Sequence, residues 1–229
     1  MPDYVSESLC IKDYKIYQSP SLYRFTSDSV VLSRFAPAGK KYVCDLCSGS
    51  GIVGLHYYAL HDGEVVRVTL CEIQEPLAEM SRSSVALNSL EDKFTVVCDD
   101  LKNLKERDCY DLVLCNPPYI KRGSGFPMKD EGARMAKTEV AVTLDEIVSV
   151  SAKLLRRSGV LCMCNAVDRL EETFLSFSAH GLSPSRLCFV SSKANEKPYL
   201  FLIEGVKGRK ASLSVEPQTV NSSRDFSGK

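Results

Sequence analysis

The chain predicts an α/β fold: a seven-stranded, mostly parallel sheet with helices on both faces and a C-terminal antiparallel hairpin. Three observations carry this expectation. From about Lys40 onward, short apolar runs alternate with helical patterns, as βαβ units require. The runs are rich in Val, Leu, Ile and aromatic residues and are bounded by Gly, Asp or Pro, which suits strands covered on both faces. The last two runs are separated by a short polar segment, too short for a crossover between parallel strands.

The first 40 residues differ from the rest. Two short polar and aromatic runs precede Ser27-Asp28-Ser29, a helix N-cap candidate ahead of Val30, Val31, Leu32 and Phe35. Strands are then expected at KYVCDL, EVVRVTLCE, KFTVVC, DLVLC, GVLCMCN, RLCFVS and YLFLIEGV. Helices are expected at residues 52–60, 76–88, 144–155 and 169–180. Pro76 opens the second of these, where its missing N–H costs little. Between Cys115 and Thr143 the sequence has no clear periodicity, and connections that long are functional or disordered. The expected organisation is an N-terminal arm packing on the core (1–39), the α/β domain (40–207) and a Ser-rich flexible tail (208–229).

Composition narrows the function classes. With 29 Lys+Arg against 29 Asp+Glu in 229 residues, net charge is zero, which argues against a protein that coats nucleic acid indiscriminately. Local patches remain compatible with that sum. Apolar residues at 44% supply enough material for a sizeable core. No stretch approaches the roughly 20 apolar residues of a membrane span, and the opening Met-Pro-Asp-Tyr lacks the pattern of a secretory signal. Several of the ten cysteines (Cys98, Cys115, Cys162, Cys164) lie inside apolar runs, where a thiol acts as a small hydrophobe. A disulfide framework is the alternative, at home in short secreted chains. Cys44 and Cys47 form a C-x-x-C without a second pair at zinc spacing, so no metal is expected. These features point to a reducing, cytoplasmic setting; oligomeric state stays open, with a monomer as the default.

The run VCDLCSGSGIVG places Gly49, Gly51 and Gly54 in a turn directly after the first strand of the α/β region, with Glu72 at the next strand end. Alone, that is a dinucleotide-binding fingerprint, or a tight ligand-free turn. Asp45 separates the readings. A carboxylate on the strand before the turn repels a pyrophosphate and attracts a cationic amino-acid moiety, such as that of S-adenosylmethionine. Glu72 is then placed to accept from ribose hydroxyls, and Asp99 or Asp100 to take an adenine amino group. Asp100 also reads as a plain helix N-cap.

After the fourth strand comes Asn116-Pro117-Pro118-Tyr119. Two prolines stiffen the backbone and remove two N–H donors. An Asn oxygen and a Pro carbonyl held close together can both accept from one planar –NH₂, orienting an exocyclic amine or a primary amide during methyl transfer. Tyr119 offers a ring for an unstacked base, worth about 1–3 kcal/mol. The competing reading is an Asn-Pro turn that ends a strand.

The chain resembles class I S-adenosylmethionine-dependent methyltransferases of the N-P-P-Y amino-methylating group, and more narrowly the bacterial valine-tRNA adenine-N6 methyltransferases. The resemblance runs from about Tyr17 to Lys207 through RFTSDSVVLSRFA, CDLCSGSGIVGL, CEIQEPLAEMSRSSVALN, VVCDDL, LVLCNPPYIKRGSG, KLLRRSGVLCMC and LFLIEGVKG. It implies a Rossmann-like methyltransferase domain and the cofactor S-adenosyl-L-methionine. The implied cofactor residues are Asp45, Cys47, Gly49, Gly51, Glu72, Asp99 or Asp100, and Asn116; Asn116, Pro117 and Tyr119 face the target amine. Cys47-Ser48 stands where Gly, Ala or Thr is commoner, and Asp99 where Gly is usual. The implied reaction is N6-methylation of an anticodon-loop adenine. Its rival is N5-methylation of a glutamine side chain in a release factor, whose enzymes carry a sizeable helical N-terminal domain that 40 residues do not supply. A nucleotide-binding module without activity is a third reading, opposed by the intact Asn116–Tyr119 run.

Basic residues that suit RNA phosphates cluster in two places. One is the long connection, with Lys121, Arg122, Lys129, Arg134 and Lys137, where Phe126 and Met128 are candidates for a lid. The other is Lys193, Lys197, Lys207, Arg209 and Lys210. Either set is equally a solvated face; if it binds phosphates, affinity falls steeply with salt.

Overall fold

The computed structural model describes residues 3–22, 26–117 and 142–221. The chain opens with a hairpin of β1 (Val5–Ser8) and β2 (Lys15–Gln18), then helix α1 (Ser27–Phe35). The alternating part follows as β3 (Tyr42–Leu46), α2 (Ile52–Leu60), β4 (Arg67–Glu72), α3 (Glu75–Leu87), β5 (Phe94–Cys98) and β6 (Tyr110–Cys115). After the undescribed connection come α4 (Leu144–Leu154), β7 (Leu155–Ala166), α5 (Leu170–Ala179), β8 (Leu182–Ser191) and β9 (Leu200–Lys207). Two-residue strands β10 (Ser214–Val215) and β11 (Thr219–Val220) complete the described chain. No helix among the described residues is long and apolar enough to cross a membrane.

Seven principal strands lie in the order β8-β9-β7-β6-β3-β4-β5. β7, β6, β3, β4 and β5 run parallel, and β9 is antiparallel to both β7 and β8. The seven-stranded expectation therefore holds, and β10 and β11 add short parallel pairings to the outer edge of β8. Those pairings occupy a stretch expected to fray. Their strands are exposed and only two residues long, so no apolar run marks them in the sequence.

Alternation along the strands splits the core into two layers. Val43, Leu112, Leu114, Cys162 and Cys164 face one cluster with residues of α1, α2, the N-terminal hairpin and Val85 of α3. Cys44, Leu46, Val113, Cys115, Leu161 and Met163 face the other, under α4 and α5. Six of the ten cysteines are buried, among them Cys115, Cys162 and Cys164 in their apolar runs, whereas Cys98 is half-buried.

Local chemistry explains the boundaries. α4 begins with a capping box: Thr143 Oγ1 accepts from Glu146 N at 3.2 Å, and Glu146 Oε2 accepts from Thr143 N at 2.8 Å. Such a cap is worth about 1 kcal/mol. β7 starts earlier than its apolar run because Leu155 pairs with Tyr110 before a bulge, and pairing resumes at Leu112–Val160. Gly159 is needed there, since a Cβ would stand 2.9 Å from Arg156 O and 3.0 Å from Tyr110 O. The polar hairpin is tied to α3 by Lys15 N donating to Asn88 Oδ1 and Tyr17 N donating to Ser84 Oγ, with Ile16 fully buried.

Candidate active site

The C-terminal ends of β5, β4, β3, β6 and β7 stand side by side, about 4.8 Å apart from strand to strand. Register makes their last residues lateral neighbours: Cys98 beside Glu72, Cys71 beside Leu46, Leu46 beside Cys115, and Cys115 beside Met163. The residues that follow form one row: Asp99, the turn from Cys47, Asn116, and Cys164 with Asn165. Asp45, Glu72, Asp99, Asp100, Asn116 and Pro117 are therefore brought to one edge of the sheet.

Asp45 points to the α2 face and is fully buried. Its Oδ2 accepts from Gly54 N at 2.9 Å, while Oδ1 has no partner. Burial pushes its carboxyl up to about 8, the Gly54 N–H acting in the opposite direction. An ionised acceptor left unpaired in the interior is costly. An incoming cationic donor would relieve that cost and favour the carboxylate.

The glycine turn gets its shape from this surrounding. Gly51 is the N-cap of α2 at φ +82, and a Cβ there would lie 2.8 Å from Leu70 Cδ1. Gly54 brings α2 against β4, since a Cβ would stand 2.5 Å from Leu70 Cδ2. Gly49 differs: at φ +56 nothing lies within 4 Å of a Cβ position, so open space adjoins it. Cys47 also adopts positive φ, and the neighbouring Ser48 Oγ is buried without a partner. Glu72 holds the turn, accepting from Gly49 N at 2.8 Å and from Gln74 N at 2.9 Å. Burial raises its carboxyl too, and these N–H donors offset part of that rise.

Asp99 accepts from Asp100 N at 2.7 Å and Asn103 Nδ2 at 2.8 Å and is exposed. Asp100 caps the short 3₁₀ turn Leu101–Asn103, its Oδ1 accepting from Lys102 N at 2.9 Å, so the helix-cap reading of this residue holds. Its Oδ2 also pairs with Lys102 Nζ at 3.2 Å. Both carboxylates stand beside the Glu72 strand end, Asp99 N donating to Glu72 O at 3.1 Å.

Asn116 is half-buried and Pro117 is buried. Asn116 Nδ2 donates to Ser29 Oγ at 2.8 Å, and its Oδ1 accepts from Cys164 Sγ at 3.1 Å. Ser29 and Cys164 were not read as site residues from the sequence. Only their chain position in the RFTSDSVVL arm and the VLCMCN strand hinted at them, and nothing local reveals the contact. Pro118, Tyr119, Lys121, Arg122, Lys129 and Arg134, with the lid candidates Phe126 and Met128, lie outside the described residues.

Lys207 is not at this edge. It ends the antiparallel β9, beside the start of β6, where its Nζ donates to Asp108 Oδ1 at 2.7 Å and Leu155 O at 2.6 Å. The C-terminal basic cluster is thus divided: Lys193, paired with Glu196, sits in the β8–β9 connection at the site's edge, and Lys207 lies at the far one. His56, fully buried, joins α2 to Ser33 of α1 at 2.7 Å, and burial lowers its imidazole to about 4.

The family model of the methyltransferase small domain matches residues 26–174. The chain belongs to that family. This methyltransferase small domain is 24% identical over 212 residues to a Tolumonas auensis protein named tRNA1(Val) (adenine(37)-N6)-methyltransferase, covering 92% of this chain and 87% of the relative. A Porphyromonas gingivalis protein of the same name is 27% identical over 203 residues, covering 84% and 78%. Among solved structures, a "predicted O-methyltransferase" from Agrobacterium tumefaciens superposes with a TM-score of 0.66 at 16% identity, covering 85% of this chain and 88% of that one. That likeness establishes the class I methyltransferase fold expected from the sequence.

Proposed function

We propose that the chain is an S-adenosylmethionine-dependent N-methyltransferase acting on N6 of an adenine in tRNA, with the anticodon-loop adenine of a valine tRNA as its target. The observation that carries this reading is the position of Asn116-Pro117: one strand over from the glycine turn, at the edge where Asp45 and Glu72 end their strands. The relatives named as tRNA1(Val) adenine-N6-methyltransferases match most of the chain.

The residues present fit the cofactor. Asp45 Oδ1, an acceptor without a partner, suits a cationic amino-acid moiety. Gly49 leaves open space beside the turn, and Glu72 keeps lone pairs for hydroxyl donors. Bound there, the cofactor supplies an electrophilic methyl group. Asn116 Oδ1 and the Pro117 carbonyl accept from the two N–H groups of the target amine and hold its lone pair in line. As the nitrogen bonds to the methyl carbon, whose bond to sulfur breaks with its electron pair left on sulfur, those hydrogen bonds would strengthen, and the nitrogen's proton would then leave to water. No general base is required, and alignment does most of the work.

The release-factor alternative is weaker because a release factor glutamine methyltransferase from Clostridium botulinum matches 40% of the chain, against 92% and 84% for the two tRNA-methylating relatives. Incubating the purified protein with labelled S-adenosylmethionine and unmodified tRNA should yield N6-methyladenosine on digestion. N5-methylglutamine formed on a release factor, with tRNA unlabelled, would replace this reading.

A further inference from the structure

We infer that Ser29 is a positioning residue for Asn116, fixing the plane of its amide, and that Asp28, Tyr199 and Asn221 hold Ser29 in place. The inference rests on the reading of Asn116 as the residue that binds the target amine.

An asparagine amide rotates about its last side-chain torsion over a broad, shallow well. Its oxygen accepts from an incoming amine in one orientation and presents N–H groups to that amine in the opposite one. Asn116 follows β6 at the margin of the core, so its own strand does not settle the choice. Ser29, 2% exposed, takes the Nδ2 end at 2.8 Å, and Cys164 donates to the Oδ1 end at 3.1 Å. Thiols are weak donors, so the hydroxyl is the stronger of these two restraints.

Such a restraint is only as firm as the helix that carries it, and α1 is held along its whole length. At its start, Asp28 Oδ1 accepts from Tyr199 OH at 2.6 Å and from Asn221 Nδ2 at 2.7 Å, and the same Asn221 amide reaches Tyr199 OH at 2.7 Å. Thr26 Oγ1 donates to Asp28 Oδ2 at 3.1 Å. In the middle, Ser33 meets His56 at 2.7 Å. At its end, Arg186 donates to Phe35 O at 2.6 Å and stacks 4.4 Å over the Phe35 ring. Asn221 is itself anchored, its N–H donating to Ser191 O at 2.8 Å. Residues 171 and 193 positions from Asp28 in the chain thus converge on one helical turn, and the helix offers Asn116 a fixed hydroxyl rather than a mobile one.

Ser29→Ala removes that hydroxyl partner from Nδ2. The expected result is about a tenfold loss in kcat for tRNA methylation, which corresponds to about 1.4 kcal/mol of barrier. Cofactor affinity by calorimetry and the melting temperature stay close to wild type. Ser29→Thr, which keeps Oγ, recovers most of kcat. Asn221→Ala, with no contact to Asn116, lowers kcat about threefold in the same direction. The inference fails if Ser29→Ala keeps the wild-type kcat, if it loses cofactor affinity in proportion to kcat, or if Ser29→Thr is as slow as Ser29→Ala. Wild-type protein silent on tRNA overturns the substrate reading and this inference with it, whereas an active wild type with an equally active Ser29→Ala overturns only the role of Ser29.

Discussion

Asp111 and Asp45 stand at opposite ends of neighbouring parallel strands, and the fold treats them differently. Asp111, near the start of β6, accepts from Lys41 N and Tyr42 N at 3.0 Å each and pairs with Arg156 Nε at 3.1 Å. Nearby, Asp108 is taken by Lys207. Asp45, at the other end of β3, is fully buried, receives one backbone N–H and keeps an oxygen without a partner. Acids whose acceptors are filled act as joints between strands. An acid held from water with capacity to spare is what a cationic ligand needs, and its raised proton affinity is the thermodynamic trace of that arrangement.

The largest effect expected from breaking this contrast is at the chemistry. Asn116→Ala should lower kcat by at least 10²–10³-fold, the scale of losing one preorganised hydrogen bond at a reacting group, while calorimetry finds cofactor affinity largely retained. Loss of both would merge the two roles assigned to this edge.

Asp45 comes next. Its folded value of about 8 lies above the ordinary 3.8, so between those limits the folded chain binds a proton that the unfolded chain has released. Its contribution to stability is therefore full below about pH 4 and is lost as pH rises through about 8. Melting temperatures of the ligand-free protein should fall across that window, and Asp45→Asn should flatten the decline. Cofactor affinity should run the other way, gaining up to about tenfold per pH unit until about pH 8, because a cationic ligand binds the ionised form. Calorimetry in buffers of different ionisation enthalpy reads the released proton directly.

The two ends of the glycine turn should separate stability from binding. Gly51→Ala meets both left-handed φ and Leu70, for a cost of about 2–4 kcal/mol; thermal melts should register it. Gly49→Ala faces open space and costs only the strain of its φ, about 1 kcal/mol. Its main effect should appear in cofactor affinity. The smallest effect belongs to the far end of the sheet. Lys207→Ala breaks a pair whose partner Asp108 is 68% exposed, worth at most about 1 kcal/mol, and methyl transfer should continue at the wild-type rate.

Much of the site's edge was legible because it is local in the chain. Asp45, Gly49 and Gly51 sit within seven residues on a strand, a turn and a helix start, and each residue type answers a nearby backbone need. The helix over residues 52–60 coincides with its sequence pattern, and the hairpin of β8 and β9 followed from the shortness of its connection. The N-terminal hairpin escaped because its strands are four residues long and mostly polar, and β2 gains its burial by packing on α3 and the rest of that core layer.

The sequence by itself determined the order of strands and helices from β3 to β9, the turn after β3 and the placing of Asn116 before a rigid Pro. These depend on periodicity, left-handed φ and stiff backbone, which act over a few residues. Tertiary structure alone decided that Ser29 and Cys164 grip the two ends of the Asn116 amide, that Asn221 returns to hold Asp28, and that Lys207 lies away from the site. Those outcomes depend on which strand ends become neighbours across the sheet. Adjacency between strands far apart in the chain is settled by long-range pairing and burial, and it leaves no mark on the residues beside them in the chain.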